Sequence, residues 1–260
     1  MKETYKLTSE YPAISGIIAN ISKGRRWDDE THLPGIHVAY SYCVGGYGVT
    51  GVLDNYSDEE IRRFFDTLFH EITAESEKVF EFSAESEEMR QRLLYIFADK
   101  QIFSETEYSL RAVNRYEKLT DLPDGVSVHP VDQNMITLFE SGTIKNAELF
   151  LERFYHSWRD RRSFLDNSGA FAAIQNNTVI GIVFGSSSYE KIVSIDIEVS
   201  EEYRKKKIAR RLTEETVNSF LDRGLVLQWD CTESNVISYK MAKSMGFEQI
   251  RERRYDWFEI

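Results

Sequence analysis

The chain has 260 residues, enough for one large domain or two ordinary domains with a sizeable buried core. Hydrophobic residues make up 42% and charged residues 29%, which is typical of globular proteins and excludes a disordered chain. The formal net charge of −11 argues against a nucleic-acid partner, because phosphate binding depends on clustered positive charge. No apolar run approaches the roughly 20 residues of a membrane helix, and no secretory signal is visible, so we expect a cytoplasmic protein without a membrane partner.

The acidic charge is concentrated in the first half of the chain. Residues 1–125 hold 14 basic and 23 acidic side chains, whereas residues 126–260 hold 18 and 20. Such a chain would attract a cationic small molecule, although acidic surfaces also serve solubility alone.

The cysteines and histidines do not indicate a metal site. Cys43 and Cys231 lie far apart in apolar surroundings, and we interpret both as buried thiols in a reducing compartment. Neither a CxxC pair nor an HExxH helix occurs. Among the five histidines, only His32 and His37, five residues apart in a turn-like stretch, approach a metal-ligand spacing, and we predict no metal.

In the first half, the hydrophobic pattern mixes strands and helices. Ser57 and Glu60 have the spacing of a capping box, and apolar residues behind them fall on one helical face. The elements that we predict, in chain order, are a strand over 38–44 with a bend at Gly45-Gly46, a helix after Ser57, a strand over 79–83, a helix over 85–98, and a strand through Tyr108, Leu110 and Ala112.

A Pro-Asp-Gly turn within residues 122–126 is the best candidate for a domain boundary. We therefore predict an N-terminal α/β domain of unknown role over 1–125 and a second domain over 126–260. The second domain is predicted to contain a strand over 126–131, helices over 132–141 and 146–165, strands over 170–175, 178–187 and 191–199, a helix over 207–222, a strand over 225–231, a helix over 235–245 and a final strand pair over 247–260. Strands between helices make this an α/β or α+β fold, a sheet layered with helices.

One strand-to-helix junction in the second domain combines a helix start with positive charge. Arg204, Lys205, Lys206 and Lys207 precede an amphipathic helix that begins near Ile208. The start of a helix presents unpaired N–H groups at the positive end of its dipole, which is a ready site for an anion. A solvated basic turn explains the charge run equally well.

A second segment, residues 227–249, contains a strand, a turn and a helix. Together with the basic junction at 204–209, this segment resembles the GNAT superfamily of acyl-CoA N-acyltransferases. That family has the motif R/Q-x-x-G-x-G/A after a strand, matched here by Arg204, Lys207 and Ala209. It also has Asn-x-x-Ala/Ser before Gly-Phe, matched by Asn235, Ser238 and Gly246-Phe247. The segment from Trp229 to Phe247 looks most like the zwittermicin A resistance acetyltransferase branch, which carries an additional N-terminal domain of about this size.

The resemblance implies a mixed, mostly antiparallel sheet flanked by helices, with acetyl-CoA as co-substrate and no metal. In GNAT folds two parallel strands separate, and the pantetheine arm lies between them like an added strand. The residues expected to bind acetyl-CoA are Ile197, Val199, Arg204, Lys205, Lys206, Lys207, Ile208, Ala209, Asn235 and Ser238. The loop amides would hold the pyrophosphate, and Asn235 would contact the arm.

Two positions depart from the family's pattern. Lys207 replaces the glycine that the family prefers, so its side chain would hinder the approach of the backbone, strain the loop, or reach a phosphate. Ala242 replaces the tyrosine that often protonates the leaving thiolate. Tyr239 lies three residues earlier, off the required helical face, so we assign it no role in catalysis.

Catalysis would need a carboxylate that takes a proton from the amine. Asp196 and Glu198 lie on the same side of one strand, and the family resemblance favours Glu198. Trp229 and Asp230 are predicted to line the amine pocket. Cys231 is better explained as a buried strand residue than as a carrier of the acetyl group.

The sequence thus predicts an acetyl-CoA-dependent N-acetyltransferase that acts by direct attack of a primary amine, through a tetrahedral intermediate. The acceptor is predicted to be a small cationic metabolite or antibiotic, hence a role in antibiotic resistance, and the protein is expected to be a monomer or homodimer. The alternative is an acyl-CoA-binding sensor or scaffold protein without turnover. A structural protein without a ligand is a third interpretation.

Overall fold

The computed structural model describes residues 8, 10–28, 33–42 and 44–260. The interpretations placed on Cys43 and His32 therefore lie outside the described residues. Within them the α-helices are α1 (Pro12–Ile18), α2 (Asp58–Ala74), α3 (Glu87–Ile96), α4 (Gln133–Glu140), α5 (Glu148–Ser157), α6 (Arg161–Asn167), α7 (Ile208–Asp222) and α8 (Val236–Ser244). The strands are β1 (Arg25–Asp28), β2 (Ile36–Ser41), β3 (Gly46–Gly51), β4 (Val79–Ala84), β5 (Phe103–Arg111), β6 (Val126–Pro130), β7 (Ala170–Gln175), β8 (Thr178–Tyr189), β9 (Ile192–Val199), β10 (Val226–Thr232) and β11 (Glu248–Glu259).

These strands form one continuous sheet in the order β1-β2-β3-β4-β11-β5-β10-β9-β8-β7-β6. Two neighbouring pairs are parallel, β3 with β4 and β9 with β10, and the others are antiparallel. The predicted fold class, a mixed and mostly antiparallel sheet layered with helices, is confirmed.

The two halves of the chain exchange strands at the centre of the sheet. Strand β5 from the first half pairs with β10, and strand β11 from the second half pairs with β4. The two exchanged strands also pair with each other over nearly their whole length. Residues before and after the predicted boundary near 125 thus contribute interleaved strands to one sheet, and two separate domains stay a prediction.

Each half repeats the same order of elements around its parallel strand pair. The first half runs β3-α2-β4-α3-β5, and the second runs β9-α7-β10-α8-β11. Helices α2, α3, α7 and α8 all pack on one face of the sheet. Helices α4, α5 and α6 pack over β7 and β8 on the other face.

Helix α1 lies on that second face and bridges the two halves. It contacts β8 and β9 on one side and β1 and β2 on the other, although these strands are far apart in the sheet. The sheet must therefore curve around α1, which makes this face concave. Two glycines allow the close packing: a Cβ on Gly16 would lie 2.5 Å from the Ser188 carbonyl oxygen, and one on Gly48 would lie 2.4 Å from Ile14 Cγ1.

Some predicted elements differ from the structure. The helix predicted over 146–165 is two helices, because Asp160 caps a new helix with its side chain on the Ser163 N–H. The predicted final strand pair is one long strand, β11, and the strand predicted over 38–44 ends at Ser41 before a turn into β3. Helix α1 and strands β1 and β3 were not predicted.

Candidate functional site

The two parallel strands of the second half separate partway along their length. Residues Val226–Gln228 of β10 pair with Ile192–Ser194 of β9, and the ladder stops there. Beyond it, β9 continues beside β8 as far as Val199, while β10 follows β5 as far as Thr232. The strands are held apart by their other neighbours, so a groove opens between 195–199 and 229–232, with backbone groups of β9 free to pair with an extended ligand.

Helix α7 begins at the end of this groove without a side-chain cap. Its first N–H groups therefore lack the intrahelical partner that later residues have. Lys205 and Lys207 both have positive φ, 62° and 63°, and such alternating turns direct neighbouring N–H groups toward one concavity. Arg204, Lys205, Lys206 and Lys207 are all exposed, so their positive charge surrounds this helix start.

Several predicted cofactor residues also have structural contacts. Arg204 Nε donates to the Val199 carbonyl, 3.3 Å away, and the Lys206 ammonium lies 4.9 Å from the centre of the Tyr203 ring. Ile208 is buried in the core beneath the loop, and Ala209 is partly exposed. The loop is thus anchored from below and open above.

Helix α8 forms the opposite wall of the groove. Asn235 caps this helix, accepting a hydrogen bond from the Ser238 N–H at 3.2 Å. Ser238 Oγ in turn accepts from Trp229 Nε1 at 2.8 Å, which holds α8 against β10. Asn235 and Ser238, the two residues of this wall that were predicted to contact the cofactor, therefore lie beside the groove, and Asn235 is exposed.

The two candidate bases share one cation. Asp196 and Glu198 point to the concave face, where Arg153 of α5 contacts both: its Nε lies 3.3 Å from Asp196 Oδ2, and its Nη2 binds Glu198 Oε2. Burial raises the pKa of Asp196 above its ordinary value, and the positive charge of Arg153 partly offsets this. Asp196 and Glu198 therefore form an ion-paired cluster with Arg153 on the concave face.

Trp229 and Asp230 lie on opposite faces of β10, because neighbouring strand residues alternate. Trp229 is buried in the apolar cluster beneath α7 and α8, edge-on to Phe247. Asp230 lies on the concave face and accepts hydrogen bonds from Ser109 Oγ at 2.6 Å and Ser194 Oγ at 3.1 Å. The structure therefore does not bring the two together in one amine pocket, and only Asp230 lies on the same face as Asp196.

Three residues to which the sequence gave no catalytic role, Cys231, Tyr239 and Ala242, have structural surroundings in the fold. Burial raises the pKa of the Cys231 thiol to about 11, so the thiol is protonated at neutral pH and a poor nucleophile. The Tyr239 hydroxyl donates to Gln249 Oε1 at 3.0 Å. Ala242 is fully buried.

Two groups beside the groove were missed in the sequence. Arg153 lies in a helix whose sequence pattern indicates only an apolar stripe, and no local pattern links this residue to β9. The concave face also holds two buried charges, Glu107 of β5 and Arg253 of β11. Their signal is present in the sequence: both strands carry charged residues on both faces, which does not fit an ordinary half-buried strand.

Within the described ranges, no helix is long and apolar enough to cross a membrane. The same residues contain no group of three or more histidine, cysteine, aspartate or glutamate side chains arranged to hold a metal ion.

Comparisons with known proteins agree with this geometry. A sequence profile described as GNAT acetyltransferase matches residues 6–257. The chain therefore belongs to the GNAT acetyltransferase family.

A curated relative, the uncharacterized N-acetyltransferase YdfB of Bacillus subtilis (strain 168), is 23% identical over 138 residues, which cover 53% of this chain and 50% of the relative. The match thus spans about half the length of that relative.

Solved structures share the fold over most of the chain. A GCN5-related N-acetyltransferase-like protein from Streptococcus suis 89/1591 has a TM-score of 0.60 and 16% identity, with 92% of this chain and 89% of that chain covered. A GCN5-related N-acetyltransferase from Kribbella flavida has a TM-score of 0.59 and 9% identity, with coverage of 96% and 93%. A tandem GNAT protein from the clavulanic acid biosynthesis pathway has a TM-score of 0.59 and 11% identity, with coverage of 94% and 86%. At these identities the likeness shows the fold alone.

Proposed function

We propose that the protein is an acetyl-CoA-dependent N-acetyltransferase that modifies a primary amine of a small cationic metabolite or antibiotic. The observation that carries this is the position of the groove: two parallel strands separate where an uncapped, basic helix start lies. An extended arm with a pyrophosphate at one end matches both features, because the strand edge offers hydrogen bonds and the helix start offers N–H groups and positive charge.

The residues present fit acetyl-CoA. Ile197 and Val199 border the groove along β9, the loop from Arg204 to Ala209 would take the pyrophosphate, and Asn235 lies on the other wall. When bound, the co-substrate supplies an acetyl group on a thioester.

For the base we propose Asp196, with Glu198 held by Arg153 beside it. A protonated amine does not attack a thioester, so a carboxylate must first accept its proton, directly or through a water. The raised pKa of Asp196 brings this carboxylate nearer to the operating pH than an exposed aspartate would be. Direct attack fits better than an acetylated Cys231, whose thiol is buried and protonated.

A calorimetric titration with acetyl-CoA, with adenosine diphosphate as the comparison ligand, tests whether the groove binds the co-substrate. We expect micromolar binding of acetyl-CoA, tighter than the nucleotide, and weakening of both in Lys205→Glu/Lys206→Glu. The control Lys78→Glu/Lys118→Glu makes the same charge change at exposed positions outside the loop and α8, and should bind as the wild type does. Undiminished binding in the loop variant, or none in the wild type, contradicts the proposed cofactor site.

Release of free coenzyme A thiol on addition of amines then tests turnover. Amine-dependent release supports the transferase. Binding without release across a wide amine panel favours the alternative, an acyl-CoA-binding sensor or scaffold protein. Membership of the zwittermicin A resistance branch, the cytoplasmic location and the monomeric or dimeric state stay predictions.

A further inference from the structure

The groove between β9 and β10 is closed at one end. Ser194 and Gln228 form the last pair of the parallel ladder, and the strands part immediately beyond it. Ile195 and Trp229 are the first residues beyond the ladder, one on each strand, at what we call the closed end of the groove. The other end opens toward the start of α7, after Val199.

Apolar side chains fill the side of the closed end that faces α7 and α8. Ile195 is 8% exposed and Trp229 is 5% exposed, and both belong to the apolar cluster that these helices cover. Trp229 is held there, because its Nε1 donates to Ser238 Oγ and its ring is edge-on to Phe247. Protein interiors are packed as densely as organic crystals, so little room remains on this side.

Polar side chains bridge the concave side of the closed end. Asp230 Oδ2 accepts from Ser194 Oγ at 3.1 Å, across the two strands, and Asp230 Oδ1 accepts from Gln228 Nε2 at 3.0 Å. Ser194 and Gln228 are buried, and Gln228 Nε2 also donates to the Glu10 carbonyl. An alkyl chain inserted here would break hydrogen bonds of buried groups, which are costly to leave without partners.

The proposed co-substrate would direct its acyl group into the closed end. With the pyrophosphate at the start of α7, the arm runs back along β9 from Val199 toward Ile195, roughly 13 Å at the rise of an extended strand. A thioester is planar, and in its extended form the acyl group continues the direction of the arm. Asp196 lies on the concave face, so the amine would reach the carbonyl carbon from that side and leave the acyl chain between the strands.

Given the proposed function, we infer that Ile195 and Trp229 select the acyl donor: they leave room for about two or three acyl carbons and exclude longer chains. The ladder ahead, the buried side chains beneath and the Asp230 bridge above all oppose a longer chain. Trp229 thus acts on the choice of acyl-CoA, from the face of β10 opposite Asp230. This selectivity rests on the proposed acetyl-CoA groove and adds to it the residues that choose the acyl group.

Calorimetric titration with acetyl-, propionyl-, butanoyl- and hexanoyl-CoA, in the absence of any amine, tests the selectivity without turnover. We expect the wild type to bind butanoyl- and hexanoyl-CoA at least about tenfold more weakly than acetyl-CoA, because each additional methylene meets a packed wall. Equal or tighter binding of the two longer acyl-CoAs would overturn the assignment.

Ile195→Ala and Ile192→Ala are a matched pair that tests where the limit lies. Both isoleucines are on β9 and 8% exposed, but Ile192 lies behind the ladder, paired with Val226. We expect Ile195→Ala to bring butanoyl-CoA within about threefold of acetyl-CoA and Ile192→Ala to keep the wild-type ratio. An unchanged ratio in Ile195→Ala, or the same change in both variants, contradicts a limit at Ile195.

Trp229→Phe gives a second measurement at the closed end, should Ile195→Ala fail to fold. The smaller ring should narrow the ratio of butanoyl-CoA to acetyl-CoA binding in the same direction. Since each ratio compares two ligands on one variant, a general loss of affinity cancels from it. An unchanged ratio in Trp229→Phe as well leaves the closed end without a role in selection.

The same titrations separate this selectivity from the proposed function. If all four acyl-CoAs bind alike, the groove stands and the acyl limit is wrong. If the wild type prefers acetyl-CoA but releases no thiol with any amine, the acyl limit stands and the transferase fails. If no acyl-CoA binds, both are wrong.

Discussion

At the scale of single residues, Lys207 shows how this chain tolerates a departure from its family. Lys207 immediately precedes α7 and has a φ of 63°, the left-handed conformation that glycine adopts without cost. Of the three outcomes that the sequence left open for Lys207, a strained backbone is thus present in the structure.

We predict that Lys207→Gly raises the free energy of unfolding by about 1 kcal/mol, because a residue with a Cβ pays roughly that amount in the left-handed region. Urea unfolding would measure it. Lys206→Gly is the matched control: Lys206 does not have a positive φ, so there glycine should only lower stability. Equal effects of the two changes would contradict the assignment of strain to Lys207.

Arg153 should influence how kcat/KM depends on pH, because it contacts the proposed base, Asp196. Its charge lowers the pKa of Asp196, while burial raises it. We predict that Arg153→Met moves the acid limb of kcat/KM to higher pH, because the base then stays protonated further up the scale. A control, Arg162→Met, removes an exposed arginine paired only with Asp166. An unshifted limb in Arg153→Met would exclude Asp196 as the base.

The same carboxyl has a defined effect on stability. A folded-state pKa above the unfolded value means that the protonated form favours folding. The contribution of Asp196 is therefore fully present below its unfolded pKa and is lost as pH rises through its folded pKa.

At the scale of elements, the exchange of β5 and β11 makes each half depend on the other. Without residues 1–125, β10 loses its partner β5, and β11 loses both of its partners, β4 and β5. Strand β10 would become an exposed edge and β11 would be left unpaired, and unpaired strand edges favour aggregation.

We predict that a fragment of residues 126–260 is insoluble when expressed alone and soluble when expressed together with residues 1–125. Co-purification and circular dichroism would measure this. A soluble, folded fragment 126–260 that binds acetyl-CoA by itself would show that the strand exchange is dispensable.

At the scale of the whole molecule, the two repeated units differ where a cofactor would bind. In the first half, residues Tyr47–Val49 of β3 pair with the last three residues of β4, Phe82–Ala84. Beyond this ladder, the Glu85 side chain accepts a hydrogen bond from the Gly51 N–H at 2.9 Å. Helix α2 is closed by a capping box at Ser57 and has three acidic residues in its first turn. Among the described residues of this half, the pairing thus continues to the end of β4, and the start of α2 is capped and acidic, which disfavours an anion there.

We therefore predict one acetyl-CoA per chain. Calorimetric titration would measure this stoichiometry, with the protein concentration corrected for the fraction of folded chains. A Ser57→Ala variant should leave this value at one and only weaken the α2 cap. Two equivalent sites would contradict the interpretation of the first half as closed.

The sequence alone determined the elements that depend on local order: the capped α2, the basic start of α7, the two motifs of the second half and the alternation that puts Asp196 and Glu198 on one side of β9. These are read within a few residues, so local pattern suffices. The tertiary structure decided what depends on distant partners. Arg153 joins the two carboxylates, and Trp229 is turned away from Asp230. A cavity beside Glu81 is formed where β5 and β11 exchange between the halves and the residue before helix α1, Tyr11, packs on the concave face. Pairings across the whole chain leave no local pattern, since each strand's partner is chosen by burial and register over the assembled sheet.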